Sequence, residues 1–308
     1  MLIKNEITPV DAFGLGHCCV DYLAVLDPYP DKGKKGEVID SLIIGGGPVP
    51  TALQVVTRYG GTTRFCGKVG DDSDGGIVIE GLTKGSVDTS QLVVDPGVTT
   101  ARAYIWIDPH EGSRTVALNI SRFTWLEPNE VNIDLARRCK VFLCDGRAAE
   151  VSIRCLKAAK ESGVVTVFDA GAIRPRFFEM LSFCDFVIVS QDLIDSFKEK
   201  ISPEHLAREL VDKGAGTAVV TIGSEGVLWN NGVSSGRVAS FQIEVYDSTG
   251  AGDVLHGGFI HGLLQGWNFE DCLRFGNAAA ALSCRKLSGA NGIPELVEVE
   301  RLMGKSQR

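Results

Sequence analysis

The chain contains the stretch DSTGAGDVLHGGF, Asp247 to Phe259. Gly250, Ala251 and Gly252 have almost no side chain, and Asp253 follows them at once. Val254, Leu255, Phe259, Ile260, Leu263 and Leu264 then recur at helical spacing, which predicts a helix starting at the small residues. Unpaired N–H groups and the positive end of the helix dipole favour an anion there. A carboxylate beside an anion needs a reason, because like charges repel. One plain reason is capping, since Asp is a favoured N-cap. A cap, however, does not call for Gly-Ala-Gly in front of it.

Two more glycine clusters stand near strand ends. IIGGGPVPTALQVV puts Gly45, Gly46 and Gly47 after a strand and Pro48 at a helix start. Three glycines serve a tight turn or a close approach of backbone to ligand. TIGSEGV places Gly223 and Gly226 at the C-terminal end of a strand, where open α/β sheets bind ligands. Neither stretch matches the P-loop or dinucleotide fingerprints.

The elements that must position these residues alternate along the chain. Strands are predicted at Arg64–Val69, Val141–Cys144, Val164–Asp169, Phe186–Ser190 and Ala218–Ile222. Helices are predicted at Pro50–Tyr59, Val151–Ser162, Pro203–Lys213 and Phe269–Cys284. Val-, Ile- and Phe-rich strands separated by helices mean an α/β fold, a mostly parallel central sheet with helices on both faces. Two segments break the rhythm. Ala101–Ile120 reads as two strands joined by DPHEG, and Glu37–Ile44 as another strand. A small β-sheet lid projecting from the core accounts for both, a decorative hairpin or a dimer contact being the alternatives. The expected organisation is one domain over 1–308, with lid segments at about 12–44 and 99–122.

Composition narrows the function classes. The 308 residues are 44% hydrophobic and 23% charged, with net charge −8 and no long basic run, so nucleic acid is not an expected partner. No apolar run reaches membrane-spanning length and the start lacks a secretory pattern, so a cytoplasmic location without a membrane partner is expected. Nine cysteines, an odd number without any C-x-x-C pair, read as reduced thiols. Cys66, Cys144 and Cys184 lie in or beside apolar runs. His256 and His261 are five apart, a poor fit to one helix face, and no zinc site is assigned.

DSTGAGD resembles the C-terminal signature of the ribokinase-like (PfkB) carbohydrate kinases, and Gly45–Gly75 resembles their N-terminal signature. Order and spacing agree from about Phe13 to Pro294. FVIVSQDL, SRTVALN and LRFGNAAAALSCRKLSGANGI are most similar to ketohexokinases, and GGGP is also similar to sulfofructose kinases. The resemblance implies an ATP- and Mg2+-dependent sugar kinase. Backbone N–H groups of Gly250, Ala251 and Gly252 would form the anion hole, with Asp253 as the base that accepts the sugar hydroxyl's proton. It further implies that Asp21, placed near the end of the first strand, binds sugar hydroxyls. Gly45 and Gly46 would line the sugar site and hinge the lid, Pro50 would face the sugar, and Arg114 would reach down from the hairpin. Ser190, Thr221, Gly223, Gly226 and Asn277 fall at nucleotide contacts. Asp247 and Thr249 fall where several relatives bind a monovalent cation such as K+. Apart from the resemblance, a homodimer through the lid is expected, since one face of a bare four-stranded sheet would otherwise leave Tyr104 or Trp106 exposed.

Two positions depart from the family pattern. Ser190-Gln191-Asp192-Leu193 stands where many relatives carry N-x-x-E, which bears on metal positioning. Pro50 replaces a sugar-binding asparagine and offers no side-chain hydrogen bond, so the sugar need be neither ribose nor plain fructose. The expected function is phosphorylation of a hydroxyl on a ketose or related small carbohydrate. A nucleoside kinase and a non-catalytic sugar or nucleotide sensor on the same fold stay open.

Overall fold

The middle of each central strand is mostly apolar because each strand is covered on both faces. Along the chain the strands are β1 (Val10–Leu15), β2 (Cys19–Leu26), β3 (Val38–Gly46), β4 (Thr63–Cys66), β5 (Lys68–Gly70), β6 (Val93–Asp95), β7 (Arg102–Asp108), β8 (Ser113–Asn119), β9 (Cys139–Cys144), β10 (Val165–Asp169), β11 (Phe186–Ser190), β12 (Thr217–Thr221), β13 (Val227–Asn230) and β14 (Ser235–Val238). The helices are α1 (Pro48–Arg58), α2 (Ser73–Lys84), α3 (Ala149–Glu161), α4 (Phe177–Leu181), α5 (Pro203–Asp212), α6 (Ala251–Leu264), α7 (Phe269–Ser283), α8 (Gly289–Gly292) and α9 (Leu296–Lys305). The computed structural model describes residues 8–110, 112–197 and 201–305.

The main sheet runs β14-β13-β12-β11-β10-β9-β1-β4, parallel from β12 to β4 and antiparallel at the β12–β13–β14 end. Alternate side chains feed two cores. Val141 and Leu143 of β9 join α1, α2, α6 and α7 on one face, while Phe142 and Cys144 join α3, α4 and α5 on the other. Helix α6 is sandwiched between the sheet and its neighbours α1 and α7, so Val254 through Gly262 are all buried. The expected helices lie within two residues of α1, α3, α5 and α7. The single strand expected over Arg64–Val69 is instead β4 and β5. At Gly67 a side chain would run into the Phe65 ring, and there the chain leaves the main sheet for a pairing of β5 with β6.

The small sheet is separate, in the order β3-β2-β7-β8. Ala101–Ile120 supplies the antiparallel pair β7 and β8, as the rhythm break predicts, with Glu111 of its turn outside the described residues. The expected lid boundary at residue 12 needs correcting. Residues 12–15 belong to β1, in the middle of the main sheet, and the lid begins with β2 at Cys19. Gly16, His17 and Cys18 break the two strands apart; a β-carbon at Gly16 would meet Val49 at 2.6 Å and Asp145 at 2.8 Å. Leu23, Val25, Ala103, Ile105 and Ile107 form the lid's inner core. Tyr22 and Tyr104 stack on the opposite face at 5.5 Å, where Tyr104 and Trp106 are 37% and 38% exposed. All nine cysteines are free, and burial raises the Cys66, Cys144 and Cys184 thiols. Among the described residues no helix is long and apolar enough to cross a membrane.

Candidate active site

Helix α6 begins at the C-terminal edge of the main sheet with Gly250 as its N-cap, at φ 77°. That left-handed backbone and the Gly289 Cα, 2.9 Å from where a β-carbon would stand, explain the glycine. The Gly252 side of the turn is open. Ala251 N–H donates to Ser248 O over a long 3.3 Å, whereas the N–H groups of Gly250, Gly252 and Asp253 find no acceptor among the described residues. Asp253 is the third helical residue and makes no capping hydrogen bond. The capping alternative therefore fails. Burial pushes the Asp253 carboxyl above the usual carboxylate range, and the neighbouring Asp169 and Asp21 push it further, while His256 and Arg114 oppose them.

Asp21 is not at the end of the first strand, as the sequence implies, but inside β2 of the lid sheet, opposite Ile44 of β3. Its nearly buried carboxylate accepts from the Cys19 thiol at 3.2 Å. Burial lifts its pKa to about 6. The glycine run beside it has three separate causes. A side chain at Gly46 would overlap the Asp21 carboxylate, Gly45 packs against the α2 backbone at Val78, and Gly47 caps α1 at φ 114°. Pro50 is buried in the first turn of α1, where no helical N–H bond is lost.

A cleft of about 370 Å³ opens beside the α6 N-terminus. Ser190, Thr221, Gly223, Gly226 and Asn277, the expected nucleotide contacts, line it together with Arg114. Ser190 Oγ accepts from Asp192 N–H at 3.2 Å, capping the turn that replaces the missing N-x-x-E. The Asn277 amide donates to Val238 O at 3.2 Å, which holds the cleft's outer loop. Arg114 Nη1 donates to Ser248 Oγ at 3.0 Å, and that hydroxyl donates to Gly112 O at 3.1 Å. The hairpin tip is thus fastened to the segment just before α6. Asp247 is buried, each oxygen accepting a backbone N–H at 2.8 Å, from Thr249 and from Ser288. The Thr249 hydroxyl is buried without a partner. Among the described residues no three His, Cys, Asp or Glu side chains gather as a metal centre.

Three side chains at the site escape the sequence reading. Asp145 follows β9 directly and Asp169 closes β10, both at the edge where α6 starts. His256 lies one turn beyond Asp253, its Nδ1 2.8 Å from Gly252 O and 3.7 Å from Asp169. Polar residues at the C-terminal ends of apolar strands were the available signal. His261 faces away and packs on Tyr59 and Phe275, so the two histidines do serve different faces.

A mostly parallel sheet, a four-stranded lid and a helix N-terminus bearing an acid define a ribokinase-like phosphotransferase. The pattern of the pfkB family carbohydrate kinases matches residues 17–296, and the chain belongs to that family. It is a sugar kinase. It is 26% identical over 327 residues to the 5-dehydro-2-deoxygluconokinase of Geobacillus thermodenitrificans (strain NG80-2), covering 98% of this chain and 96% of that one. In fold it is similar to Arabidopsis thaliana ribokinase complexed with ribose and ATP (TM-score 0.79, 20% identity, 96% of this chain and 99% of the other). It is similar too to the ATP-bound fructokinase from Xylella fastidiosa (TM-score 0.81, 21% identity, 97% and 99%).

Proposed function

We propose that this chain transfers the terminal phosphoryl group of ATP to a hydroxyl of a ketose or a related small carbohydrate, with Asp253 as the base. The observation that carries this reading is the position of Asp253. It stands beside N–H groups without acceptors, at an open helix N-terminus, and makes no structural hydrogen bond. Asp253 takes the hydroxyl proton as the oxygen attacks. The bare N–H groups of Gly250 and Gly252 balance the charge on the transferring group, and Arg114 adds a positive charge from the lid. Asp21 orients the sugar from the lid side, and the hairpin tied to Ser248 keeps water out.

Mg2+ suits this arrangement. Asp192 is the one carboxylate among the described residues lining the cleft, and a hard cation that keeps its waters needs few protein oxygens. When bound, it neutralises phosphate charge. A monovalent cation at Asp247 and Thr249 belongs to the same reading; the unpartnered Thr249 hydroxyl supports it. The exposed face of the small sheet, with Tyr104 and Trp106, supports pairing with a second copy. The test is ATP turnover across fructose, ribose, sulfofructose, 5-dehydro-2-deoxygluconate and a set of nucleosides. Turnover should be highest with one of the ketoses or keto acids. Preference for a nucleoside would overturn the reading.

A further inference from the structure

One buried group at the site has no task in the transfer itself. Ala251, Gly252 and Leu255 of α6 line the cleft of about 370 Å³, whereas His256, 4% exposed, stands outside its lining. The His256 Nδ1 lies 2.8 Å from Gly252 O. A carbonyl only accepts, so that nitrogen carries the proton. The Asp169 carboxylate, at 3.7 Å, is too far away to take it. Burial lowers the pKa of the ring, against the opposing charge of Asp253, so the imidazole is neutral and Nε2 keeps a lone pair. That Nε2 is buried and has no partner among the described residues.

Packing alone does not account for a histidine here. In the helical ladder Gly252 O already faces the backbone N–H of residue 256, so it is not short of a donor. A leucine would fill the space without burying a bare nitrogen, which is costly. What the ring does is act on one peptide unit. The carbonyl of Gly252 and the N–H of Asp253 belong to the same planar group. That N–H has no acceptor among the described residues, and the residue that bears it is the proposed base. Little else steadies the unit from outside. A β-carbon at Gly252 would meet no atom within 4 Å, and glycine leaves its own backbone free. A second hydrogen bond on the carbonyl holds the plane and polarises the N–H at its other end.

Resting on the sugar-kinase reading, we propose that His256 is a positioning residue for phosphoryl transfer. Through the Nδ1–H bond to Gly252 O it locks the Gly252–Asp253 peptide, so that the Asp253 N–H and carboxylate keep their places as the hydroxyl attacks. His256 touches neither sugar nor ATP. Its effect belongs to the transition state, when charge develops at the donors, and therefore falls on kcat rather than KM.

The experiment compares His256→Asn, whose amide can still donate to a carbonyl one turn back, with His256→Leu, which fills the space without a donor. Both are assayed with MgATP and whichever of fructose, ribose, sulfofructose and 5-dehydro-2-deoxygluconate the native protein turns over fastest. His256→Leu should lose at least about 10-fold in kcat, with KM for sugar and for ATP within about twofold of native. His256→Asn should regain most of that loss. Native kcat in the Leu variant, a loss carried by KM, or an Asn variant as slow as the Leu variant would each overturn the positioning role while leaving the kinase reading intact. A second arm uses the native protein. Nitrogen NMR of histidine-labelled enzyme reads the ring's tautomer, the His256 signals being those missing from His256→Asn. A neutral Nδ1–H ring between about pH 6 and 8 is expected. A ring protonated on Nε2 alone cannot bond Gly252 O, and would overturn the proposal even if the Leu variant fails to fold. Absence of native turnover with every one of these sugars would overturn both readings.

Discussion

At the scale of single residues, Asp253 carries the most chemistry and the clearest predictions. Asp253→Asn should lower turnover by about 10²–10⁴-fold, while ATP affinity, measured by calorimetry, is retained because the backbone donors remain. Near-normal turnover would place the base elsewhere. The sequence alone, treating Asp253 as a cap that Asn could replace, implies almost no change in stability. The structure changes that expectation. A carboxyl whose pKa is raised by burial binds its proton more readily in the folded state than in the unfolded one. Its contribution to stability is therefore greatest in acid and is lost as pH rises through the folded value. Asp253→Asn removes that penalty. The variant should melt higher than the native protein at pH 8, and the gap should close toward pH 4, as read by thermal melts across pH. A gap that does not depend on pH would mean that the Asp253 carboxyl is not strained by burial. Asp253 and Arg114 were legible from the sequence because they lie in continuous motifs. Asp145 and Asp169 were not, since each reaches the site from a strand far from Asp253 in the chain.

At the scale of elements, the two glycine turns are built for different constraints. Gly250 needs a left-handed backbone and has Gly289 against it. Gly250→Ala should therefore cost at least about 1–2 kcal/mol in chemical denaturation, plus the overlap. An unchanged midpoint would show that the turn can re-form. Pro50 sits in the first turn of α1, so Pro50→Asn should leave the melting temperature nearly unaltered. On the reading that Pro50 faces the sugar, it should shift preference toward simpler sugars in the same turnover panel. An identical preference profile would remove Pro50 from the site. The alternating helices and strands were readable to within a few residues from apolar spacing. The break at Gly67 and the change of sheet between β1 and β2 were not. Both depend on what stands across the gap, namely the Phe65 ring in one case and Val49 and Asp145 in the other.

At the scale of the whole molecule, the lid presents an apolar outer face. Tyr104 and Trp106 are joined along it by Ile43, 55% exposed. If that face meets a second copy, the native protein should run as a dimer in size-exclusion chromatography with light scattering, and Trp106→Glu should shift it to monomer. A native monomer would sink the pairing. The lid's other face is tied down through Arg114 to Ser248 and through Tyr246 to Asp40, so closing the site and presenting the outer face are properties of one sheet.

By itself the amino-acid sequence determined the α/β class, the separate lid hairpin, the helix start at Gly250 and the family. Each of these is written in local spacing: apolar periodicity, small residues at a turn, an acid next to them. Tertiary structure decided which sheet owns Asp21 and that Asp253 caps nothing. It also brought Asp169 of β10 against His256 at the start of α6. The physical reason is that hydrogen-bond satisfaction and burial are properties of neighbours, and these neighbours come from elements separated along the chain.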